Sequence, residues 1–168
     1  MEVTKIATPD FTTGGRQFPP TITQVGSDRF AVAWRNDDSD NIKVRIFTTD
    51  SGNITSTSDK EIATGNTQDD PTITQVGSDR FVVAWRGSES RDIKGRVFTA
   101  NSGNITQTSN LDTELGTGNS QGHSTITQVG SDRFAVAWVD FDSEDIKARI
   151  FTTDSGNITQ TSNLNTEL

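Results

Sequence analysis

The sequence predicts an all-β fold built from three repeated modules, and three observations lead to this prediction. The stretch "TITQVGSDRFAVAW" at 21–34 returns almost unchanged at 72–85 and at 125–138. Apolar residues make up only 30% of the 168 residues, yet they fall into strand-sized clusters. Asp, Ser, Gly and Asn separate these clusters and favour tight turns. Together these features are typical of consecutive short strands in antiparallel sheets.

Four strands can be predicted in the first copy. They are "TITQV" (21–25), "FAVAW" (30–34), "IKVRIF" (42–47) and a fourth strand from Ile54 to about Thr64. Short polar turns join them, so each copy is expected to form a four-stranded antiparallel meander.

The repeat defines the boundaries of the modules. Aligning the copies divides the chain into an N-terminal segment, 1–19, and three modules, 20–70, 71–123 and 124–168. The expected architecture is therefore one sheet per module, with the N-terminal segment left over as a strand for a neighbouring module.

The second strand carries the most information because it has no polar face. Alternation places Phe30, Val32 and Trp34 on one side, called the ridge, and Ala31 and Ala33 on the other, called the alanine face. The ridge recurs in the second and third copies as Phe81, Val83, Trp85 and as Phe134, Val136, Trp138. Both sides must be covered, and stacking the modules in one direction fits each ridge against the alanine face of its neighbour.

The third strand has a different pattern. Ile42, Val44 and Ile46 form one apolar side, while Lys43 and Arg45 occupy the other. This alternation predicts a strand whose basic side lies nearer the solvent.

A β-propeller and a β-trefoil both use repeats of four strands. A propeller blade is pressed between two neighbours, which suits a second strand buried on both sides, and blades of about 40–50 residues match the repeat length. A trefoil has three repeats around a threefold axis, but its strands mainly need to be buried on one face only. The propeller is the preferred prediction, and the trefoil stays open as the alternative.

Three blades are fewer than the four to eight of typical propellers. Homodimerisation would complete a ring of six blades and remove the exposed ends of the array. The segment "EVTKIAT" (2–8) resembles the fourth-strand stretch "SDKEIAT" (58–64), so it is expected to complete the last blade of a partner chain. The C-terminal "NLNTEL" is a second candidate for that position, and the chain as an excerpt of a longer array is a further explanation.

One family resemblance supports the blade prediction. The stretch "FVVAWRGSESRDIKGRVFTANSGNITQT", followed by "STITQVGSDRFAVAW", resembles the blade-like repeats of large secreted bacterial proteins of the RTX, or haemolysin-type calcium-binding, class. The shared features are a Phe-Val-Val-x-Trp strand, an Ile-x-Gly-x-x-Phe strand and an Asx-Gly turn. The resemblance implies an extracellular or cell-surface location. The loop after each Trp departs from the Gly-rich acidic loop of that class.

Composition narrows the choice of partners and chemistry. A net charge of −8 disfavours nucleic acid and anionic membranes as partners. The chain contains no Cys or Tyr and a single histidine, His123, so it lacks the residue sets of thiol, Ser-His-Asp and Tyr-dependent hydrolases. We therefore expect a protein that is not an enzyme and needs no cofactor, with calcium as the one exception.

Calcium binding is a better chemical hypothesis than catalysis because two polar loops are rich in carboxylates. Hard oxygen ligands of this kind suit Ca²⁺. The candidate ligands are Asp37, Asp38 and Asp40 in the first copy and Asp140, Asp142 and Glu144 in the third. Neither loop has the Asp-x-Asp-x-Asp-Gly spacing of a dedicated calcium loop, so solvated turn acids are the simpler interpretation.

The aromatic and arginine residues raise a carbohydrate hypothesis. Trp34, Trp85 and Trp138 could stack on sugar rings, although their place at the end of the ridge favours the core. The arginines of the three "GSDR" turns are candidate ligand clamps, but pairing with the preceding Asp is the simpler expectation. These arginines are Arg29, Arg80 and Arg133.

Three functions remain open at this point. The first is a scaffold or adhesion module of a secreted bacterial protein, without enzymatic activity. The second is a multivalent carbohydrate-binding propeller, and the third is an engineered or recently duplicated array without a ligand.

Overall fold

A computed structural model describes residues 16–161 with the exception of 52, 66, 102, 103, 109–111 and 119. The described residues form strands and turns and no helix. They therefore contain no helix that is long and apolar enough to cross a membrane. The strands are β1 (Thr21–Gln24), β2 (Arg29–Asn36), β3 (Asn41–Asp50), β4 (Asn53–Ser56), β5 (Lys60–Ala63), β6 (Gln68–Gln75), β7 (Arg80–Gly87), β8 (Ile93–Asn101), β9 (Asn104–Gln107), β10 (Thr113–Gly116), β11 (Gln121–Gly130), β12 (Arg133–Asp140), β13 (Asp145–Asp154) and β14 (Asn157–Gln160).

The strands make three antiparallel sheets, and each sheet uses the strands of one repeat. The first sheet contains β1–β5, the second β6–β10 and the third β11–β14, each in meander order. This confirms the prediction of an all-β fold with three antiparallel sheets. The described sheets do not close on themselves, and no strand is shared between repeats, so they do not form the common barrel that the trefoil alternative requires.

The predicted fourth strand is two short strands along the same edge of the sheet. In the first sheet β4 pairs with the Phe47–Asp50 end of β3, whereas β5 pairs with Ile42 to Val44. Between them the chain bends, and the Thr57 hydroxyl accepts a hydrogen bond of 3.2 Å from the Ile46 N–H. The Ile46 N–H is therefore bonded to a side-chain oxygen, whereas a continuous fourth strand would provide a backbone carbonyl as the acceptor.

The second and third sheets begin slightly before the boundaries expected from the repeat. β6 starts at Gln68 and β11 at Gln121. The N–H of Gln68 donates to the carbonyl of Asp40 at 3.0 Å, and that of Gln121 donates to the carbonyl of Arg91 at 2.9 Å. These backbone bonds join each sheet to the next one.

The three sheets stack in chain order, ridge against alanine face. Between the first and second sheets the ridge residues Phe81 and Trp85 share one core with Ala31 and Ala33, and all four are fully buried. Between the second and third sheets the ridge of β12 shares a core with Val82 and Ala84 of β7. The predicted packing of bulky against small faces is confirmed at both junctions.

The basic side of the third strand is an exception to the sequence prediction. Only 15% of the side chain of Arg96 is exposed, and its guanidinium lies over Trp85, 5.8 Å from the ring centroid. Arg149 lies over Trp138 in the same way, at 5.3 Å. These side chains lie over the ridge because the aliphatic stem of an arginine packs on an indole while its charged head reaches a polar partner.

The two terminal strand predictions fall mainly outside the described residues. Of the N-terminal segment 1–19, the structure describes only 16–19, where Gln17 forms an isolated bridge with Asn36. The stretches "EVTKIAT" and "NLNTEL" lie entirely outside the described ranges. The assignment of an outer strand to the third sheet therefore stays a prediction.

Candidate functional site: the two outer faces of the stack

Among the described strands, no sheet packs against the alanine face of the third sheet, which we call the tail face. Its residues are Val129, Ala135, Ala137, Ile146, Ala148 and Ile150. Ile42 and Ile93, at the equivalent positions in the first and second sheets, are 0% exposed, whereas Ile146 is 49% exposed. The same side chain at the same place in the fold therefore changes from core to surface at the end of the stack.

Other positions of the tail face repeat this difference. Val25 and Val76 are fully buried, but the equivalent Val129 is exposed. The alanines of the tail face are half-buried, while Ala31 and Ala33 of the first sheet are fully buried. The tail face therefore repeats the residue pattern of the internal interfaces but has no neighbouring sheet among the described residues.

The ridge side of the first sheet is the opposite end of the stack, and we call it the head face. It comprises Ile22, Phe30, Val32, Trp34 and Phe47. Trp34 and Phe47 are buried, and the rings of Phe30 and Phe47 stack with centroids 4.9 Å apart.

One corner of the head face is open. Ile22 is 65% exposed, whereas the equivalent Ile73 is 7% exposed. Phe30 is half-exposed, although its equivalents Phe81 and Phe134 are fully buried. The opening lies where β1 and the start of β2 run side by side.

The exposed large apolar side chains concentrate on these two faces. Within the described part of the chain they are Ile22, Val129, Ile146 and Phe141. The first belongs to the head face and the next two to the tail face, while Phe141 lies in the loop after β12. Apolar patches left open at both ends of a stack mark interaction surfaces.

A row of ion pairs links the "GSDR" turns of neighbouring sheets. Arg29 donates to the carboxylate of Asp79 at 2.6 Å and to the carbonyl of Ala100 at 2.5 Å. Arg80 pairs with Asp132 in the same way. The expected pairing with the preceding Asp is present at Arg29, whose Nε is 3.7 Å from the Asp28 carboxylate, but the shorter bond of this guanidinium reaches across to the next sheet.

The three tryptophans proposed as sugar-stacking residues lie inside the molecule. Trp34, Trp85 and Trp138 are each at most 4% exposed. Trp85 and Trp138 lie between two sheets and Trp34 is buried on the head face, so none of the three indoles offers a face to a sugar ring in this structure. Arg29 and Arg80 are committed to the ion pairs above, and Arg133 alone of the three arginines is exposed.

The acidic residues proposed as calcium ligands do not converge on one point. Asp40 accepts a hydrogen bond of 2.7 Å from Arg35, and Asp37 lies 3.6 Å from the same guanidinium. Asp142 and Glu144 are exposed. Throughout the described residues there is no group of three or more Asp, Glu or His side chains placed to hold a metal ion.

Asp140 is instead a buried anchor for its loop. Its carboxylate accepts hydrogen bonds from Lys147 and from the backbone N–H groups of Asp142 and Ser143. The bond from Lys147 is the main cause that lowers the pKa of Asp140 to about 2, against the opposing effect of burial.

A cavity of about 340 Å³ lies where the three sheets meet at the start of their first strands. Its wall includes Phe18, Arg35, Asp69 and His123. Burial lowers the pKa of Arg35, but hydrogen bonds and charge from Asp40 and Asp69 outweigh it and raise the pKa. No repeated pattern predicts the pairing of Arg35 with Asp69, because Gly122 stands in the place of this Asp in the third copy.

The chain stands apart from the proteins with which it was compared. No family model matches it, and neither a curated protein nor a solved structure does so.

Proposed function

We propose that the chain is a non-enzymatic scaffold or adhesion module that works as a repeat array and joins a second copy through its head and tail faces. The observation that carries this proposal is the exposure of Ile146, which occupies the place of two fully buried isoleucines. A surface that repeats the pattern of an internal interface is best explained by another interface.

The complete assembly we propose is a six-bladed β-propeller made of two chains. In support, the first strands of neighbouring sheets contact one another, β1 with β6 and β6 with β11. Sheets that meet along their first strands resemble blades around an axis. A ring of two chains with a twofold axis leaves neither outer face open to solvent.

Hydrophobic burial supplies a reason for the second copy. Full burial of an aliphatic side chain contributes about 1.5–3 kcal/mol, and the tail face carries several that are only half-buried. The open corner of the head face offers Ile22 and Phe30, the residue types that cover alanine faces inside the chain.

The scaffold proposal also accounts for the repeated polar loops. The turns after β2, β7 and β12 are similar polar segments on successive sheets, so an assembled ring would present them in multiple copies. Multiple equivalent surfaces turn weak contacts into useful avidity. Placement on a secreted bacterial protein rests on the resemblance to RTX-class blades.

The experiment is light scattering on the wild type and on three substitutions of exposed residues. Ile22→Asp changes the head face and Ile146→Asp the tail face, while Thr106→Asp, at an exposed position of β9 in the middle sheet, is the control away from both. We expect a mass near twice 18.2 kDa for the wild type and the control, and 18.2 kDa for the two face variants. A wild type that stays at 18.2 kDa over the full concentration range, or face variants that remain dimeric, would contradict the proposal.

A further inference from the structure

The ion-pair row between the sheets ends at Asp28 and at Arg133, which have opposite charges and no ion pair with another described sheet. We propose that Arg133 of one copy pairs with Asp28 of a second copy, and that this pair sets the head-to-tail order of assembly. This inference rests on the proposed association of two copies and names the residues that specify it.

The internal pairs provide the geometry. Arg29 reaches Asp79 of the second sheet, and Arg80 reaches Asp132 of the third sheet. The arginine always belongs to the earlier sheet and the aspartate to the later one. Continuing the row by one step requires Arg133 as the donor and the aspartate of a following first sheet, Asp28, as the acceptor.

Arg133 already has the pose of the paired arginines. In each sheet the guanidinium folds over the glycine three residues earlier, so that a Cβ added to that glycine would lie 3.1–3.3 Å from the nearest guanidinium nitrogen. The glycines are Gly26, Gly77 and Gly130. The donor at the end of the row is therefore preorganised, which lowers the entropy lost when the pair forms.

Asp28 is held in place like the aspartates that are already paired. The N–H of Thr49 donates to the Asp28 carbonyl at 2.8 Å, and Thr153 makes the same bond of 2.7 Å to Asp132. The turn that carries the carboxylate is thus fixed in the same way at both positions.

Both groups remain available on the surface of the single chain. Arg133 is exposed and makes no ion pair with any described residue. The Asp28 side chain is 56% exposed, and its recorded ion pair is a 3.7 Å contact with Arg29, whose shorter bond of 2.6 Å is to Asp79. The two groups lie next to the two faces that are open, since Arg133 begins β12 and Asp28 precedes Phe30.

Charge also disfavours the simplest competing assembly. Two copies joined tail face to tail face would bring two Arg133 side chains to the same interface. Like charges at an interface oppose association, whereas a head-to-tail contact pairs opposite charges.

The test uses charge reversal in the full chain. Arg133→Asp sets two carboxylates against each other, and Asp28→Arg sets two guanidiniums against each other. We expect each variant alone to raise the dimer Kd at least about tenfold, since exposed pairs contribute modestly and repulsion adds to their loss. Arg91→Asp, at an exposed arginine away from both faces, is the matched control and should leave the Kd unchanged.

Mixing the two variants provides the decisive readout. In a ring of two chains, one Arg133→Asp chain and one Asp28→Arg chain have opposite charges at both interfaces, so the mixture should recover the wild-type Kd as a one-to-one heterodimer. Native mass spectrometry of isotope-labelled chains measures this ratio. A wild-type dimer that neither reversal weakens, or a mixture with no preference for the heterodimer, would overturn this inference while leaving the dimer itself intact. A wild type without any dimer would overturn the proposed function and this inference together.

Discussion

The three equivalent isoleucines allow the stacking account to be tested with one substitution made at three places. Ile42 and Ile93 are 0% exposed and Ile146 is 49% exposed. Replacing a fully buried isoleucine with alanine costs about 2–5 kcal/mol because transfer energy is lost and a cavity remains. For Ile146→Ala about half of the transfer energy is lost and no closed cavity forms, so we expect the free energy of unfolding to fall by about 1 kcal/mol.

Thermal unfolding followed by circular dichroism converts these energies into shifts of Tm. A change of 1 kcal/mol moves the Tm by about 2–4 °C at this chain length, so a loss of 3 kcal/mol corresponds to about 6–12 °C. We expect shifts of that size for Ile42→Ala and Ile93→Ala, and about 2–4 °C for Ile146→Ala in dilute solutions of the single chain. Equal shifts for all three variants in dilute solution would refute the claim that the tail face lies outside the core.

Three further predictions concern residues inside the stack. Because the pKa of Asp140 is lowered from 3.8 to about 2, its charge stabilises the fold by about 2 kcal/mol above pH 4, and this is lost as the pH falls towards 2. Urea unfolding of Asp140→Asn should therefore differ from the wild type at pH 6 but agree with it near pH 2, and a constant difference would contradict this. Gly95→Ala should destabilise the fold by about 1–3 kcal/mol, because the new Cβ would lie 2.5 Å from Leu115 Cδ1, and Leu115→Ala in the same chain should lessen the effect of the added Cβ. A double-mutant cycle of Arg29→Ala and Asp79→Ala should give a coupling of about 0.5–1 kcal/mol, since the carboxylate is 44% exposed, and additive effects would show that the two do not interact.

The sequence predicted the fold wherever a local pattern decides it. The alternation of Phe30 and Ala31 along the second strand was sufficient to predict burial on both sides, because a side-chain period of two allows no other arrangement in a strand. The split of the fourth strand could not be predicted, since it depends on the Thr57 hydroxyl meeting the Ile46 N–H.

The candidate site could be predicted only in part for a physical reason. Ile42 and Ile146 have nearly the same neighbours in sequence, and only their place in the stack makes one core and the other surface. The identical "GSDR" turns likewise contain no information on whether an arginine pairs within its own turn or across to the next sheet. Properties that arise between modules are absent from the repeat itself.

The orientation of two copies can be measured directly by cross-linking, because the chain contains no cysteine. Inside the chain the turn at Gly77 lies beside Ser131 of the next sheet, so the account places the turn that contains Gly130 and Ser131 of one copy beside Ser27 of another. Chains with Ser131→Cys and chains with Ser27→Cys, mixed and treated with a short bismaleimide, should give a covalent species of twice 18.2 kDa, and neither variant should do so alone. Cross-linking of Ser131→Cys chains to one another, or the absence of any cross-linked species in the mixture, would contradict the head-to-tail stack.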